Sequence, residues 1–270
     1  MKAEHVEWLD DLVTANSWEA FDHEAHPTKS VRDAIYDLLA HLPRNEASLV
    51  LQLLEDYRIV KDYTSFARAL MVEIKKSVGN AETIITPVRD YNAERPKSGQ
   101  ALHYDMGNFT AFFEDNQVKL LDDLRSDKCQ SHNGPHISVD DFIGTGGQFL
   151  KMRDKVVDSG KDFNVTHIAT MCIQEEAAKR LAAEGFQIIT LDTRPKALPQ
   201  LAYKSGRLLN ELYAEYDILE SKTACPERAK RGWDGSEALI TLKSTPNNTL
   251  PIFWVEGKKK WPAPFPRPKR

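Results

Sequence analysis

The sequence predicts an α/β fold, a mainly parallel sheet with flanking helices, preceded by a helical N-terminal segment. Three observations lead there. Apolar residues recur at helical spacing through the first 78 residues. From Glu82 onward, short β-branched runs alternate with helical stretches. Strands separated by helices need crossover connections, and these give parallel neighbours.

Each element has its own signal. Trp8, Leu9, Leu12 and Val13 form one helical stripe, Val31, Ile35, Leu38 and Leu39 a second, and Leu49, Leu51, Leu53 and Leu54 a third. Pro27 with Thr28, Pro43 with Asn45, and Gly79 with Asn80 punctuate them. Thr83 to Thr86 reads as the first strand, and a helical stretch is expected from about Asn108 to Leu124. His136 to Asp141 reads as the second strand, followed by a helix from Phe149 to Val157 that Gly160 stops. Val165 to Cys172 reads as a third strand, Glu175 to Ala183 as a helix closed by Gly185, and Gln187 to Leu191 as a fourth strand. Beyond Pro195 a helix is expected over Leu208 to Tyr216, and strands over Ala238 to Leu242 and Ile252 to Val255. The organisation expected is a helical segment at 1–78, a sheet-bearing domain at 79–257 and a basic, proline-rich tail at 258–270.

Composition bounds the function. With 270 residues, 41% hydrophobic and 28% charged, the chain can bury a substantial core, which excludes general disorder. A net charge of -4 excludes a global positive field for nucleic acid or anionic membrane. The opening Met1-Lys2-Ala3-Glu4-His5-Val6-Glu7-Trp8 lacks a signal-peptide core, and no apolar run has membrane-spanning length, so a cytoplasmic protein without membrane contact is expected. Cys129, Cys172 and Cys225 are too scattered for a disulfide framework or zinc site. His23 and His26 lack the spacing of a helical zinc motif.

The chemistry concentrates in Val139-Asp140-Asp141-Phe142-Ile143-Gly144-Thr145-Gly146-Gly147. Ligands of open parallel sheets sit at the carboxyl ends of strands. Two adjacent carboxylates there are costly to bury without partners. A vicinal diol, or a hydrated magnesium ion, would supply partners for Asp140 and Asp141. Gly144, Thr145, Gly146 and Gly147 then turn the chain into a helix whose first N–H groups lack intrahelical acceptors, which suits a phosphate monoester. One pentose phosphate could span both features. A P-loop is excluded because no Gly-Lys-Ser/Thr follows, and a dinucleotide fingerprint because Phe149 stands in place of the third glycine. A plain strand-turn-helix whose acids cap a helix remains open.

This run resembles the signature of type I phosphoribosyltransferases. The resemblance implies that Asp140 and Asp141, the candidate catalytic pair, hold the 2'- and 3'-hydroxyls of phosphoribosyl pyrophosphate, with Mg2+ on the substrate. It places the 5'-phosphate on Gly144 through Gly147 and on Gln148, where the family usually has Thr or Ser. Pyrophosphate would fall to the loop after the first strand, with Arg89, Lys97, Ser98 and Gly99 as candidates. Lys97-Ser98-Gly99, the acid run, and Thr245-Pro246-Asn247-Asn248-Thr249-Leu250-Pro251-Ile252-Phe253-Trp254 are together similar to phosphoribosyltransferase-like proteins of bacterial conflict systems. That likeness implies an antiphage effector or toxin, in some retron cassettes beside a reverse transcriptase and a winged-helix protein.

Asn247 and Asn248 suit recognition of a base edge, and equally suit a simple turn. Trp254, Trp261 and Phe265 are expected to pack rather than stack on a base. The basic tail could hold a nucleic-acid backbone or be a solvated terminus. The leading expectation is therefore an enzyme acting at C1 of a phosphorylated ribose, either phosphoribosyl pyrophosphate or a nucleotide. The competing one is a non-catalytic nucleotide-binding sensor or scaffold.

Overall fold

The computed structural model describes residues 2–20, 29–91, 98–114, 117–256 and 261–267. The chain divides into two compact units, residues 1–61 with 195–270, and residues 62–194. The expected organisation breaks at 78/79 and 257/258; these units break at 61/62 and 194/195.

The first unit opens with α1 (Ala3–Ala15), α2 (Val31–Ala40), α3 (Arg44–Glu55) and β1 (Arg58–Ile59). The stripes read from the sequence are its core: Leu9, Val13, Ile35, Leu38, Leu39, Leu51 and Leu54 are buried together. Ser30 caps α2 by accepting the Asp33 N–H at 3.0 Å.

The second unit follows with α4 (Tyr63–Val78), β2 (Thr83–Pro87), α5 (Ser98–Met106), β3 (Val118–Leu120), α6 (Asp127–Gln130), β4 (His136–Ile143), α7 (Gly147–Asp158), β5 (His167–Gln174), α8 (Glu175–Ala183) and β6 (Gln187–Arg194). Its five strands run in the order β3-β2-β4-β5-β6, and every pairing is parallel. β4 and β5 are buried along their whole length, as central strands of a parallel sheet are, polar residues included. Asp62 caps α4 by accepting the Ser65 N–H at 3.0 Å. That helix buries Tyr63, Ala67, Leu70, Met71 and Ile74 on one face, and it packs along β5 and β6. α5 packs on β2 and β4. α7 and α8 bury Phe149, Met152, Val156, Ala177 and Leu181 with Ile143, Ile168 and Ile173 of the sheet.

The chain then returns to the first unit as α9 (Ala197–Ser205), α10 (Leu209–Glu220) and β7 (Ile240–Thr241), which pairs in parallel with β1. Among the described residues no helix is long and apolar enough to cross a membrane.

Four expectations need correction. The helix foreseen over Asn108 to Leu124 is instead a 3-10 turn over Gly107–Phe112 followed by β3, whose three residues are too few to show alternation. Ile252 to Val255 is no strand: Pro251 fixes a helical φ and starts a 3-10 turn over Pro251–Phe253. The strand over Ala238 to Leu242 shrinks to β7 and an isolated bridge between Ala238 and Thr249. The described part of the tail is not a solvated terminus. Trp261, Ala263 and Phe265 are buried, Phe265 stacks on Tyr57 with centroids 4.9 Å apart, and the Trp261 indole donates to the Ile252 carbonyl at 2.8 Å. Trp261 and Phe265 thus pack, as expected.

One buried group makes folding pH-dependent. His136 opens β4 with both ring nitrogens buried and, among the described residues, unpartnered, and burial, aided by neighbouring His132, pushes its pKa down to about 4. An unfolded histidine titrates near 6.5, so between these values the unfolded chain binds more protons. Stability is therefore complete above about pH 6.5 and falls by about 3 kcal/mol as the pH drops towards 4. Burial shifts His103 and His167 in the same direction, so His136→Leu should flatten the slope without abolishing it. Urea midpoints between pH 7 and pH 4 check this; parallel slopes in both proteins would remove His136 from the role.

Candidate functional site

The acid pair stands where the sheet opens. β2 pairs with β4 only as far as Pro87 opposite Val139, with one further bond from the Val88 N–H to the Val139 carbonyl. β4 continues beside β5 to Ile143 opposite Ile173. Asp140 and Asp141 therefore project past the end of β2 while β5 still holds them. The connections out of β2 and β4 also diverge here, one to β3 and the other to β5, which is the switch point where open sheets leave a crevice.

Both acids are buried, at 7% and 4% exposure, and the unit brings donors to them. The Asp141 carboxylate accepts the Tyr63 hydroxyl at 2.6 Å on Oδ2. On Oδ1 it accepts the Ser98 hydroxyl and the Phe142 N–H, each at 2.9 Å. Asp140 Oδ1 accepts the Asp141 N–H at 3.0 Å. The backbone of α5 comes so close that a Cβ at Gly99 would sit 2.5 Å from Asp140 Oδ1. Any side chain there would displace the Asp140 carboxylate. Ser98 and Gly99, expected to hold pyrophosphate, are thus brought directly onto the acid pair.

The glycine turn is built as its sequence suggests. Gly146 has φ +74 and lies against Leu181, where a Cβ would come within 3.2 Å. The left-handed backbone favours glycine there, and a side chain would also press on Leu181. α7 begins without a side-chain cap, so its first N–H groups face outward with little internal competition. The Gly147 N–H makes one long bond, 3.3 Å, to the Thr145 hydroxyl. Gln148 is exposed in the first turn.

Three residues at this end of the sheet carried no readable signal. Tyr63 is the first residue of a helical stripe and reads as core. Arg180 of α8 donates to the Thr145 carbonyl at 3.2 Å, placing a guanidinium beside the turn; nothing in sequence spacing links α8 to that loop. Gln174, the last residue of β5, is 3% exposed, and both its amide oxygen and its amide nitrogen are buried without a partner among the described residues. It occupies the cap position of α8 yet makes no cap bond.

Arg89 has other partners within the same unit. Arg89 donates to the Asp122 carbonyl at 3.0 Å, its guanidinium stands 5.2 Å from the Tyr91 ring centre, and Arg125 stands 3.9 Å from the same ring. These contacts involve neither the acids nor the glycine turn. Lys97 lies outside the described residues. Asn247 and Asn248 belong to the first unit, where they serve a turn. The Asn247 carbonyl accepts the Trp233 N–H at 2.9 Å, and the Asn248 carbonyl accepts the Ala238 N–H at 3.0 Å and the Ser236 hydroxyl at 2.9 Å. The Asn248 amide donates to Ser236 Oγ at 3.2 Å. The segment clasping them holds Arg231, Asp234 and Glu237 at positive φ, and a Cβ at Gly232 would lie 2.1 Å from the Asn248 carbonyl oxygen.

A family model described as PRTase-CE matches residues 28–267. The chain belongs to the PRTase-CE family. Solved structures similar to this PRTase-CE chain include an orotate phosphoribosyltransferase from Aeropyrum pernix, 17% identical over 53% of this chain and 75% of that one, TM-score 0.31. An orotate phosphoribosyltransferase from Francisella tularensis is 12% identical over 59% of this chain and 76% of that one, TM-score 0.33. A hypoxanthine-guanine-xanthine phosphoribosyltransferase is 14% identical over 49% and 74%, also at 0.33. No curated protein matches the sequence.

The acid pair of this PRTase-CE chain is not symmetric, and the asymmetry is measurable. Asp141→Asn keeps one acceptor oxygen but sets its amide N–H against a donor on the other side, the Tyr63 hydroxyl if the oxygen stays with Ser98 and the Phe142 N–H, so the ligand-free protein should lose about 1–3 kcal/mol in urea unfolding. Tyr63→Phe removes one of those donors and should lose about 1 kcal/mol. Combining the two should lose less than their sum, because both touch one hydrogen bond. Additive losses would show that Tyr63 and Asp141 act independently.

Proposed function

We propose that this chain is an enzyme acting at C1 of a phosphorylated ribose, phosphoribosyl pyrophosphate or a nucleotide. One observation carries the reading: a buried acid pair and an uncapped, glycine-built helix start follow one another on a single strand-turn-helix at the sheet's switch point. Asp140 and Asp141 would accept from the ribose 2'- and 3'-hydroxyls. The N–H groups of Gly144 through Gly147, with Gln148 and the Thr145 hydroxyl, would donate to the 5'-phosphate. Ser98 and Gly99, with Arg89 and Lys97, remain the proposed pyrophosphate side.

In such a transfer the bond from C1 to pyrophosphate breaks, the bonding pair leaves with pyrophosphate, and the acceptor supplies the new pair to C1. The chain's part is to fix the ring and phosphate so that the acceptor meets C1 in line. Among the described residues no three His, Cys, Asp or Glu side chains converge on a metal position. The all-oxygen acid pair suits magnesium that arrives on the substrate's phosphates, where it would neutralise the departing charge. The likeness to conflict-system proteins supports a further step, that the activity serves as an antiphage effector depleting or modifying a nucleotide pool.

A second reading, a non-catalytic sensor, is favoured by the two protein hydroxyls already seated on Asp141. Isotope-labelled phosphoribosyl pyrophosphate incubated with the protein and a metabolite extract separates the two: turnover supports the enzyme, retention without turnover the sensor.

The pocket itself is tested by melting. Phosphoribosyl pyrophosphate with magnesium at a hundredfold excess over Kd should stabilise the fold by about 2.7 kcal/mol. Gly146→Val, which forces a β-branched residue to φ +74 and against Leu181, should abolish that shift and lower the ligand-free melting temperature. Asp140→Asn should shrink the shift while leaving the turn intact. No shift in the native protein would remove the pocket assignment.

A further inference from the structure

We infer that Gln174 reads the donor–acceptor edge of a nucleobase, so that the ligand of this site is a nucleoside phosphate or a ribose phosphate paired with a base, rather than a sugar phosphate alone. The inference rests on the pentose-phosphate reading above. Gln174 is 3% exposed, and among the described residues neither end of its amide has a partner. Buried amides in folded proteins are almost always satisfied, and an unsatisfied one calls for an explanation. Its place supplies one. Ile143 lies opposite Ile173 in the sheet, so Gln174 stands one residue beyond the row where β4 gives way to the Gly144 turn. Ile173 packs into the α7 and α8 cluster. Successive strand side chains alternate, which turns Gln174 away from that core. It is also at the carboxyl end of a central strand, where open parallel sheets bind ligands.

The chemistry of the amide selects the partner. A phosphate or carboxylate could accept from Nε2 but leaves Oε1 orphaned, and an ammonium group does the reverse. A group with an N–H and an acceptor side by side satisfies both. The lactam edge of uracil or hypoxanthine and the amidine edge of adenine or cytosine all have this form. A neutral amide has no charge with which to select a carboxylated base. Asn247 and Asn248 bond the Trp233 to Ala238 segment through their backbone carbonyls and the Asn248 amide nitrogen; on this inference the base is read from β5.

The test is calorimetric binding of ribose 5-phosphate, UMP, CMP, AMP and IMP to the full chain and to Gln174→Met and Gln174→Leu. At least one nucleotide should bind the native chain roughly tenfold to a hundredfold tighter than ribose 5-phosphate, the span of one good bidentate pair. Both variants should reduce that nucleotide to parity with ribose 5-phosphate, leave ribose 5-phosphate itself unchanged, and melt no lower than the native chain, because two orphaned groups are gone. An undiminished nucleotide preference in the variants overturns the inference. So does a drop of several degrees in both variants, which would show that the amide serves the fold. If ribose 5-phosphate binds and no nucleotide binds tighter, only the role of Gln174 falls. If none of the five ligands binds, the pentose-phosphate reading falls with it.

Discussion

Two neighbouring carboxylates with less than a tenth of their surface exposed must be met by donors, and much of the sheet unit is arranged around that requirement. Each candidate donor comes from a different element. Asp62 caps α4, which fixes Tyr63 in its first turn and aims the hydroxyl at Asp141. α5 begins at Ser98, whose hydroxyl reaches the other oxygen, and Gly99 lets the helix backbone come down onto Asp140. The strand supplies two N–H groups of its own. Hydrogen bonds to a charged acceptor contribute about 1.5–3 kcal/mol each, enough for several together to offset much of the desolvation of a carboxylate. The crossing order of the strands makes this possible, because β4 outruns β2 and leaves space for the start of α5.

What was legible in the sequence follows from how local the signal is. The acids, the glycine turn and the helices after them depend on residues within a few positions of one another, and β4 with α7, β5 with α8, and the start of β6 lie close to where periodicity and glycines put them. Tyr63, Ser98 and Gly99 meet Asp140 and Asp141 across separations of about 40 to 78 positions. No single-sequence pattern encodes such contacts. Gln174 was invisible for another reason: a glutamine at a strand-to-helix junction reads as a cap, and only its three-dimensional surroundings show that it caps nothing.

The C-terminal segment illustrates a signal present but outweighed. Trp261-Pro262-Ala263-Pro264-Phe265-Pro266 alternates packing residues with prolines, and all six but Pro262 are buried. The flanking lysines and arginines drew the reading towards a solvated tail. Phe265 is fully buried beside Tyr57 and Phe253, and its carbonyl accepts the Thr245 hydroxyl at 2.8 Å. Thr245 in turn bonds Thr241, whose oxygen meets the Tyr57 hydroxyl. The polar chain from Tyr57 to Phe265 anchors the segment, and its basic flank at Arg267 lies over Trp254.

On the proposed reading, the occupied state of Asp141 has an energetic consequence. A ribose diol that donates to this carboxylate displaces hydroxyls that already donate to it, Tyr63 on one oxygen and Ser98 on the other. Exchanging one hydroxyl for another changes the hydrogen-bond inventory little, so its net contribution to affinity is small. Affinity must then come from groups that are unsatisfied beforehand: the uncapped N–H groups at the start of α7 and the orphaned amide of Gln174. The acid pair would act chiefly on orientation, holding the sugar between a phosphate anchor on one strand end and a base-reading group on the next. The released Ser98 hydroxyl, at the first turn of α5, would be free to donate to the leaving group at the same moment that the ring is fixed.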